Sequence, residues 1–329
     1  MIFRSLIAAA AALAALPLLA QDARAQDAPL RLGYWTSGYS LGFGAVFEQG
    51  DFLDEAGVKA EFRKFGEVNA PAKAVLGGDI DVAFAAPAAA AFNLGRQGAP
   101  IRVILATQVL EGRIVVAKDS PIQAAADLAG KRIGMSRPGS STHAIVTTLL
   151  RAVHGIDPAA YAVVPGNEAQ LAHLLTRGDI DAAALRNVTV AQLPAGAVRP
   201  VADLVEDWKT LIKGDAPPIL AVALTRADVV AKRGKELAGF VRAMQAASAW
   251  GGAHKDAVAK QLVAAANMKE QDARDYAAVW DAIYIASLTA ADVAALQQEN
   301  RIFAEAGAAE GIAPETIYET GPFAAATGR

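Results

Sequence analysis

The sequence contains the tetrapeptide Gly-Asp-Ile-Asp twice, at residues 78–81 and 178–181. Each copy comes after a segment that opens an apolar run, Arg31-Leu32-Gly33 before the first copy and Arg132-Ile133-Gly134 before the second. The interval from the glycine of the opening segment to the first aspartate of the tetrapeptide is 46 positions in one unit and 45 in the other. A unit of this size that occurs twice predicts two similar lobes. A cleft between two lobes is a common place for a small ligand to bind.

The N-terminal segment has the pattern of a secretory signal peptide. Arg4 supplies a positive charge, and an apolar stretch rich in alanine and leucine follows from Leu6 to Ala20. The small residues at either end of Ala23-Arg24-Ala25 form a cleavage pattern, which places cleavage before Gln26. The apolar stretch is also short for a membrane span, which needs about 20 residues. We therefore expect residues 1–25 to be removed on export.

Composition restricts the class of protein further. The 329 residues include no cysteine, so neither disulfides nor a lipidated N-terminal cysteine can form. The formal net charge of −3 gives no electrostatic footprint for nucleic acid. A chain of about 300 residues after cleavage predicts about two domains. Export without disulfides or a lipid anchor favours the periplasm.

The order of predicted strands and helices indicates an α/β fold with parallel sheets. Residues 26–116 are predicted to form the first part of lobe 1, and residues 117–216 are predicted to form lobe 2. After a break at Asp215-Ala216-Pro217-Pro218, residues 217–329 return to lobe 1 and continue as C-terminal helices. A chain that crosses between the lobes twice predicts a two-strand hinge, around which the lobes close on a ligand.

The loop before the helix of the second unit is the strongest candidate binding element. Its hydroxyl residues Ser140, Ser141 and Thr142 stand at a predicted helix N-terminus. Such a terminus leaves about four backbone N–H groups without intrahelical partners and carries about half a positive charge, which favours an anion. The alternative is that Ser140 or Ser141 only caps the helix.

The other candidate binding residues follow from the position of strand ends. Ligands of open α/β sheets bind outside the carboxyl ends of the strands. The repeat places the first-unit loop across the cleft from the second, and two further segments follow buried strands. Arg186 is the one cation at these positions, and its guanidinium suits a carboxylate or sulfonate. The residues are Ser37, Gly38, Tyr39 and Ser40 in the loop, Ala86 and Pro87 after one strand, and Arg186 and Asn187 after another.

Sites for metals, cofactors or covalent catalysis are not indicated. The two Gly-Asp-Ile-Asp segments suit turns between a helix and a strand at the end of each lobe away from the cleft. The four histidines lack metal-ligand spacing. His143 beside Ser140 is the single candidate for a nucleophile–base pair, and no third orienting group accompanies it. We expect no cofactor and no enzymatic activity.

Four segments resemble a known family when they are taken in order. They are residues 76–83 (LGGDIDVA), 116–122 (VAKDSPI), 127–134 (DLAGKRIG) and 139–143 (GSSTH). These are similar to segments of the periplasmic substrate-binding proteins of ABC importers for aliphatic sulfonates, taurine and nitrate. That group in turn resembles the thiamine-pyrimidine-precursor binding proteins. The likeness extends from about Leu30 to Thr225.

The resemblance implies a type II periplasmic-binding fold that closes over a small molecule and delivers it to a membrane permease. It places ligand contacts at residues 37–40, 86–87 and 140–142. One departure concerns the segment after the second repeat strand, where sulfonate binders of this type carry Trp-Asp-Pro and this chain has Arg186-Asn187-Val188. The departure leaves the chemistry of the ligand open.

These observations predict a periplasmic binding component that captures a small anion, such as a sulfonate, carboxylate or nitrate-like species. Its partners are that ligand and the permease, through which it contacts the inner membrane, and it has no nucleic-acid partner. One alternative is a neutral heterocycle stacked on Tyr34, Trp35 or Tyr39. Others are a sensor ectodomain and an enzyme of the related pyrimidine-synthesising type, which carries a cysteine cluster.

Overall fold

The computed structural model describes residues 28–328, so the predicted signal peptide lies outside the described residues. Two sheets form the framework, each flanked by helices. The first stretch of chain builds most of one sheet. Its elements are β1 (Leu30–Trp35), α1 (Gly38–Gln49), α2 (Phe52–Glu55), β2 (Ala60–Phe65), α3 (Ala70–Gly77), β3 (Val82–Pro87), α4 (Ala88–Arg96) and β4 (Ile101–Val109).

The second stretch builds the other sheet. Its elements are β5 (Arg113–Ala117), β6 (Arg132–Met135), α5 (Ser141–Ala152), β7 (Ala162–Pro165), α6 (Glu168–Arg177), β8 (Ala182–Leu185), α7 (Asn187–Ala191), β9 (Val198–Asp203) and α8 (Leu204–Ile212).

The last stretch returns to the first sheet and then becomes mainly helical. Its elements are β10 (Ile219–Arg226), α9 (Ala227–Ala253), α10 (Lys255–Ala266), α11 (Glu270–Ala278), α12 (Trp280–Ile283), β11 (Tyr284–Ser287), α13 (Ala290–Glu305) and α14 (Gly321–Thr327). After a returning strand at residues 219–224 the sequence predicted helices to the end, whereas β11 adds a strand at the edge of the first sheet beside β4.

Both sheets have the same central pattern, as the repeat predicted. The first has the order β11-β4-β10-β3-β1-β2, and the second has β7-β6-β8-β5-β9. β1 pairs in parallel with β2 and β3, and β6 pairs in parallel with β7 and β8. Each group of parallel strands is joined by one antiparallel strand that follows a crossing between the sheets. β10 pairs with β3 in the first sheet, and β5 pairs with β8 in the second.

The repeated sequence explains why the two sheets look alike. Added Cβ atoms at Gly33 and Gly134 would lie 2.4 and 2.6 Å from the Cδ1 atoms of Ile80 and Ile180, which are the isoleucines of the two tetrapeptides. Each opening glycine therefore makes room for the isoleucine of its own unit. The repeated sequence therefore gives the same close packing in each unit, in which the opening strand lies against the Gly-Asp-Ile-Asp turn that follows the helix.

The chain crosses between the sheets at two adjacent points. The first crossing comes between Val109 and Arg113, and the second leads through residues 213–218. The backbone N–H of Leu110 donates to the carbonyl of Pro218 at 2.9 Å, which holds the two crossings together. β5 pairs in the second sheet, so the first change of sheet comes a few residues before the boundary predicted after residue 116.

The returning segment also joins the lobes behind the cleft. Phe303 of α13 packs against Phe92 of α4 and Trp208 of α8, with ring centroids 6.1 and 6.4 Å apart. Arg151 of α5 donates to the carbonyl of Ala306 at 3.0 Å. Within residues 28–328, no helix is both long enough and apolar enough to cross a membrane.

Candidate functional site

Two of the hollows between the sheets share Arg186 and lie at the carboxyl ends of the parallel strands. The inner pocket encloses about 20 Å³ and the outer pocket about 160 Å³. The inner pocket is lined by Trp35, Ser40, Val68, Ala85, Pro87, Gln108, Ser136, Ser140, Ser141, Thr142, Arg186, Leu220 and Ala221. The outer pocket is lined by Ser37, Gly38, Tyr39, Leu41, Glu168, Ala169, Arg186, Val188, Thr189, Gln192, Met268 and Tyr276.

The inner pocket is small because residues of the two lobes approach each other closely there. About 20 Å³ is the room of a single water molecule. A ligand of several heavy atoms therefore reaches this pocket only if the lobes separate, which the paired crossings at the hinge permit.

The first turn of α5 forms one wall of the inner pocket. Ser140 caps the helix, because its Oγ accepts the backbone N–H of His143 at 3.3 Å and donates to the carbonyl of Arg137 at 2.7 Å. The capping alternative is therefore realised for Ser140. The preceding N–H groups, those of Ser141 and Thr142, are left without intrahelical acceptors and belong to residues that line the pocket.

Ser141 connects the two lobes at the base of the cleft. It is fully buried, and its Oγ accepts the backbone N–H of Ala89 at 3.1 Å. Ala89 lies in the first turn of α4, directly after the predicted site residues Ala86 and Pro87. The hydroxyl of Ser141 thus fixes the N-terminus of a first-lobe helix against the N-terminus of a second-lobe helix.

Arg186 is the cation that both pockets share, and it is only 6% exposed. Its Nη1 donates to Oε1 of Glu168, and its backbone N–H donates to Oε2 of the same carboxylate at 3.2 Å. The guanidinium carbon lies 4.7 Å from the ring centroid of Tyr39, a cation–π contact with the opposite lobe. Its Nε is buried and has no hydrogen-bond partner among residues 28–328. The arginine is therefore held in place while keeping donor capacity.

Glu111 lies at the first crossing and holds both lobes. Its carboxylate accepts the O–H of Tyr39 from the first lobe. It also accepts the backbone N–H of Asn187 from the second lobe, at 3.1 and 3.0 Å to its two oxygens. Burial raises the pKa of Glu111 to about 7, the Asn187 N–H and Arg186 oppose this rise, and Glu168 adds to it. The contacts across the hinge therefore involve a carboxylate that titrates near neutral pH.

The family of the chain follows from its sequence. Residues 45–258 match the family model described as NMT1/THI5 like. The chain belongs to the NMT1/THI5-like family. The matched range includes both Gly-Asp-Ile-Asp segments and most of the residues that line the two pockets.

Solved structures confirm the predicted fold class. The alkanesulfonate-binding protein SsuA of Xanthomonas axonopodis pv. citri, bound to MOPS, is similar with a TM-score of 0.73 and 18% identity, over 90% of this chain and 99% of that one. The periplasmic aliphatic sulphonate binding protein SsuA of Escherichia coli gives a TM-score of 0.70 and 20% identity, over 88% and 91% of the two chains. At these identities the likeness shows the fold alone. The NMT1/THI5-like chain thus has the type II periplasmic-binding fold.

An enzyme has the same fold. The desulfurization enzyme DSZB is similar with a TM-score of 0.63 and 18% identity, over 91% of this chain and 99% of that one. A second DSZB structure carries a cysteine-to-serine replacement and contains biphenyl-2-sulfinic acid. This NMT1/THI5-like chain contains no cysteine. A comparison with curated protein sequences finds no match.

The structure brings most of the predicted site residues together at the cleft. Ser40, Pro87 and residues 140–142 line the inner pocket, residues 37–39 line the outer pocket, and Arg186 lines both. Ala86 is buried within β3, beside Pro87, and does not line either pocket. Asn187 contributes its backbone N–H to Glu111 instead of lining a pocket. A ligand-binding role for these residues stays a prediction.

Two predicted loops are shorter in the structure, because helices begin earlier than expected. α1 begins at Gly38, so Tyr39 and Ser40 lie in its first turn, and α5 begins at Ser141. Gly38 has a φ of +54°, which glycine adopts without strain, so the chain turns into the helix at once.

The structure also identifies site residues that sequence reasoning missed. Gln108, Glu111 and Glu168 were not predicted, although Gln108 lines the inner pocket and Glu168 the outer one. The signal for Gln108 was its place as a polar residue near the end of the apolar run that begins at Ile101. Nothing local marks Glu111 or Glu168, because their importance comes from contacts with residues distant in sequence.

The aromatic residues proposed for stacking differ in position. Trp35 lines the inner pocket and Tyr39 the outer one. Tyr34 is buried in the core, where its ring packs on Phe84 with centroids 5.1 Å apart and its O–H donates to Glu48 at 2.8 Å. Tyr34 is therefore removed from the list of stacking residues.

Proposed function

We propose that the protein is the exported solute-binding component of an ABC importer and that it binds a small anion, with a sulfonate as the first candidate. The observation that supports this most directly is the convergence of Arg186 and the N-terminus of α5 on one pocket. Arg186 has a buried Nε without a partner, and α5 contributes the N–H groups of Ser141 and Thr142. Both elements favour a negatively charged group.

Export supports the same assignment. Residues 1–25 have the signal-peptide pattern, and the family resemblance implies delivery of the ligand to the transmembrane permease subunits. The permease would then recognise the closed state of the two lobes. A ligand that contacts both lobes favours the closed state by its difference in affinity for the closed and open states.

Replacement of Arg186 tests the anion site. Calorimetry would first identify a ligand from a panel of alkanesulfonates, carboxylates and nitrate. Arg186→Ala is expected to weaken its binding about tenfold or more, because a charge-assisted hydrogen bond contributes roughly 1.5–3 kcal/mol. Arg186→Lys keeps the charge but removes Nε, so its affinity for the ligand is expected to lie between those of the wild type and Arg186→Ala. Arg177→Ala, at an exposed arginine paired with Asp179 away from the cleft, serves as the control.

Two results would contradict the proposal. Equal affinity of the wild type and Arg186→Ala would remove Arg186 from the site. Absence of binding by the wild type across the anion panel would reject the anion proposal itself.

A neutral heterocycle is the second candidate, and Trp35 is the observation that favours it. Its indole lines the inner pocket, where a flat ring could stack on it, and Glu168 already offsets the charge of Arg186. Salt separates the two candidates, because the affinity for an anion falls as salt screens the site, whereas the affinity for a neutral ring changes little.

We infer binding and not catalysis, although DSZB shows that the fold also accommodates an enzyme. The O–H of Ser140 is committed to the carbonyl of Arg137, and the hydrogen bond between His143 and Ser140 uses the backbone of His143. These contacts do not form a nucleophile–base pair. Turnover of a bound ligand by the purified protein would overturn this inference, and capture of a receptor instead of a permease would favour a sensor ectodomain.

A further inference from the structure

The charges around the shared arginine nearly cancel. Among the residues that line the inner and outer pockets, Arg186 is the one cation and Glu168 is the one carboxylate. Their side chains are 7% and 13% exposed and form a direct ion pair. An anion that enters the inner pocket therefore meets an arginine whose charge is already offset.

The position of Glu168 is fixed by its own surroundings. Its carboxylate accepts three hydrogen bonds, from the Nη1 and the backbone N–H of Arg186 and from the O–H of Thr189. It is also the first residue of α6, where a negative charge is favoured by the helix dipole. The carboxylate of Glu168 is thus held close to Arg186. A second carboxylate, that of Glu111, accepts the backbone N–H of the neighbouring Asn187.

We propose that Glu168 is a specificity-determining residue that restricts the cleft to ligands with a single negative charge on the bound group, and excludes tetrahedral dianions. This inference rests on the proposed anion-binding function and adds to it the charge of the ligand. The N-terminus of α5 and the remaining donors of Arg186 suffice for one negative charge. A second charge would lie near Glu168 without a further cation among the residues that line the two pockets, and such uncompensated burial is unfavourable.

Methanesulfonate and sulfate form a matched pair of probes. Both have a tetrahedral sulfur with three oxygens facing one way, but methanesulfonate carries one negative charge and sulfate carries two. The wild type is expected to bind methanesulfonate at least tenfold more tightly than sulfate in calorimetric titrations. Equal affinities would overturn the proposal without any variant.

Glu168→Gln removes the charge and keeps the size of the side chain. Both anions should gain affinity from the lost repulsion, and sulfate should gain more because Coulomb energy scales with the charge of the ligand. The ratio of the two dissociation constants is therefore expected to shift toward sulfate by about tenfold or more. If Glu168 only positions Arg186, both affinities fall together and the ratio stays constant, which would overturn the proposal.

Two further variants separate the local effect from a general one. Glu206→Gln changes the net charge by the same amount at an exposed residue of α8 that pairs with Lys209 and lines neither pocket. An equal shift of the ratio in this control would reject a specific role of Glu168. Glu168→Asp keeps the charge and is expected to keep the preference for methanesulfonate. A wild type that binds neither these probes nor any other anion would reject the proposed function, whereas an unchanged ratio in a protein that binds anions rejects this inference alone.

Discussion

The two repeat units are nearly identical at the far end of each lobe and different at the cleft. At the far end, Arg31 and Asp81 of the first unit correspond to Arg132 and Asp181 of the second. Each arginine donates its backbone N–H and its Nε to one carboxylate oxygen and its Nη2 to the other. The same short sequence thus gives the same local contact twice.

The two arginine–aspartate contacts differ in burial and in the number of partners. The side chain of Asp81 is 7% exposed and also pairs with Arg233 of α9, whereas the side chain of Asp181 is 32% exposed. The pKa of Asp81 is lowered because hydrogen bonds and charge from Arg31 outweigh burial, which acts in the opposite direction. The comparison shows that an identical motif has a different energetic value once the C-terminal helices cover one copy.

The cleft ends of the units differ in chemistry. Gly38 and Gly139 stand at the same offset from Gly33 and Gly134, and both have positive φ values, +54° and +86°. An added Cβ at either would lie 3.2 Å from a side-chain nitrogen of the opposite lobe, Nη1 of Arg186 or Nδ2 of Asn69. The next residue is Tyr39 in the first unit and Ser140 in the second. One unit thus contributes an aromatic ring to the site, and the other contributes a capped helix terminus.

Replacement of Asp81 and of Asp181 is expected to give the largest difference in stability between the two units. Asp81→Asn is expected to reduce the free energy of unfolding by about 3 kcal/mol, because the amide cannot replace the carboxylate in the charge-assisted hydrogen bonds from Nε and Nη2 of Arg31. Asp181→Asn is expected to have a much smaller effect, since an exposed, solvent-screened pair contributes little. Urea denaturation of both variants measures the difference, and equal losses would show that burial of the first contact has no energetic consequence.

The pH dependence of stability gives the second test. A buried carboxylate that is not paired with an arginine should lose its contribution to stability as pH rises, whereas Asp81 should lose its contribution as pH falls. Glu299 of α13 is 1% exposed and accepts the N–H of Ile219 at 2.8 Å, and burial raises its pKa from 4.5 to about 8. The folded state binds this proton more tightly than the unfolded state. The stability that the neutral group provides is therefore fully present below about 4.5 and is lost as pH rises through about 8.

Replacement of Glu299 by glutamine keeps an acceptor for Ile219 and removes the charge. At pH 8.5 the variant is expected to be more stable than the wild type by on the order of 2 kcal/mol, since it avoids a buried charge but must itself bury the N–H groups of an amide. Near pH 4.5 the two proteins should be alike. Asp81 should show the opposite sign, with stability lost as pH falls through its lowered pKa. A constant difference between wild type and variant at all pH values would contradict the ionisation of Glu299.

The smallest expected effect compares the two helix caps at the cleft. Ser140→Ala is expected to reduce stability by about 1 kcal/mol, because Oγ caps the N–H of His143. Ser37 stands at the corresponding N-cap of α1 but makes no capping hydrogen bond, so Ser37→Ala should change stability little. Thermal denaturation of the matched pair measures the difference. A larger loss in the Ser37 variant would reverse the assignment of the capped terminus.

Much of the fold could be predicted because it depends on local patterns. The two Gly-Asp-Ile-Asp segments, the opening glycines and the alternation of strands and helices were enough for two α/β lobes. The apolar run that Arg31-Leu32-Gly33 opens forms β1 at Leu30–Trp35. Short strands such as β7 and β11 were missed, since four residues carry too little periodicity to separate them from neighbouring loops and helices.

The sequence by itself determined the repeat, the turns and the candidate loops, because each depends on residues that are close along the chain. Only the tertiary structure decided that Glu111, Glu168 and Gln108 belong with Arg186 at the cleft. Glu111 and Asn187 are separated by 76 positions and meet because β5 pairs with β8 in the second sheet. Burial and pairing set the charge of such groups, and burial is a property of the folded chain that no local pattern encodes.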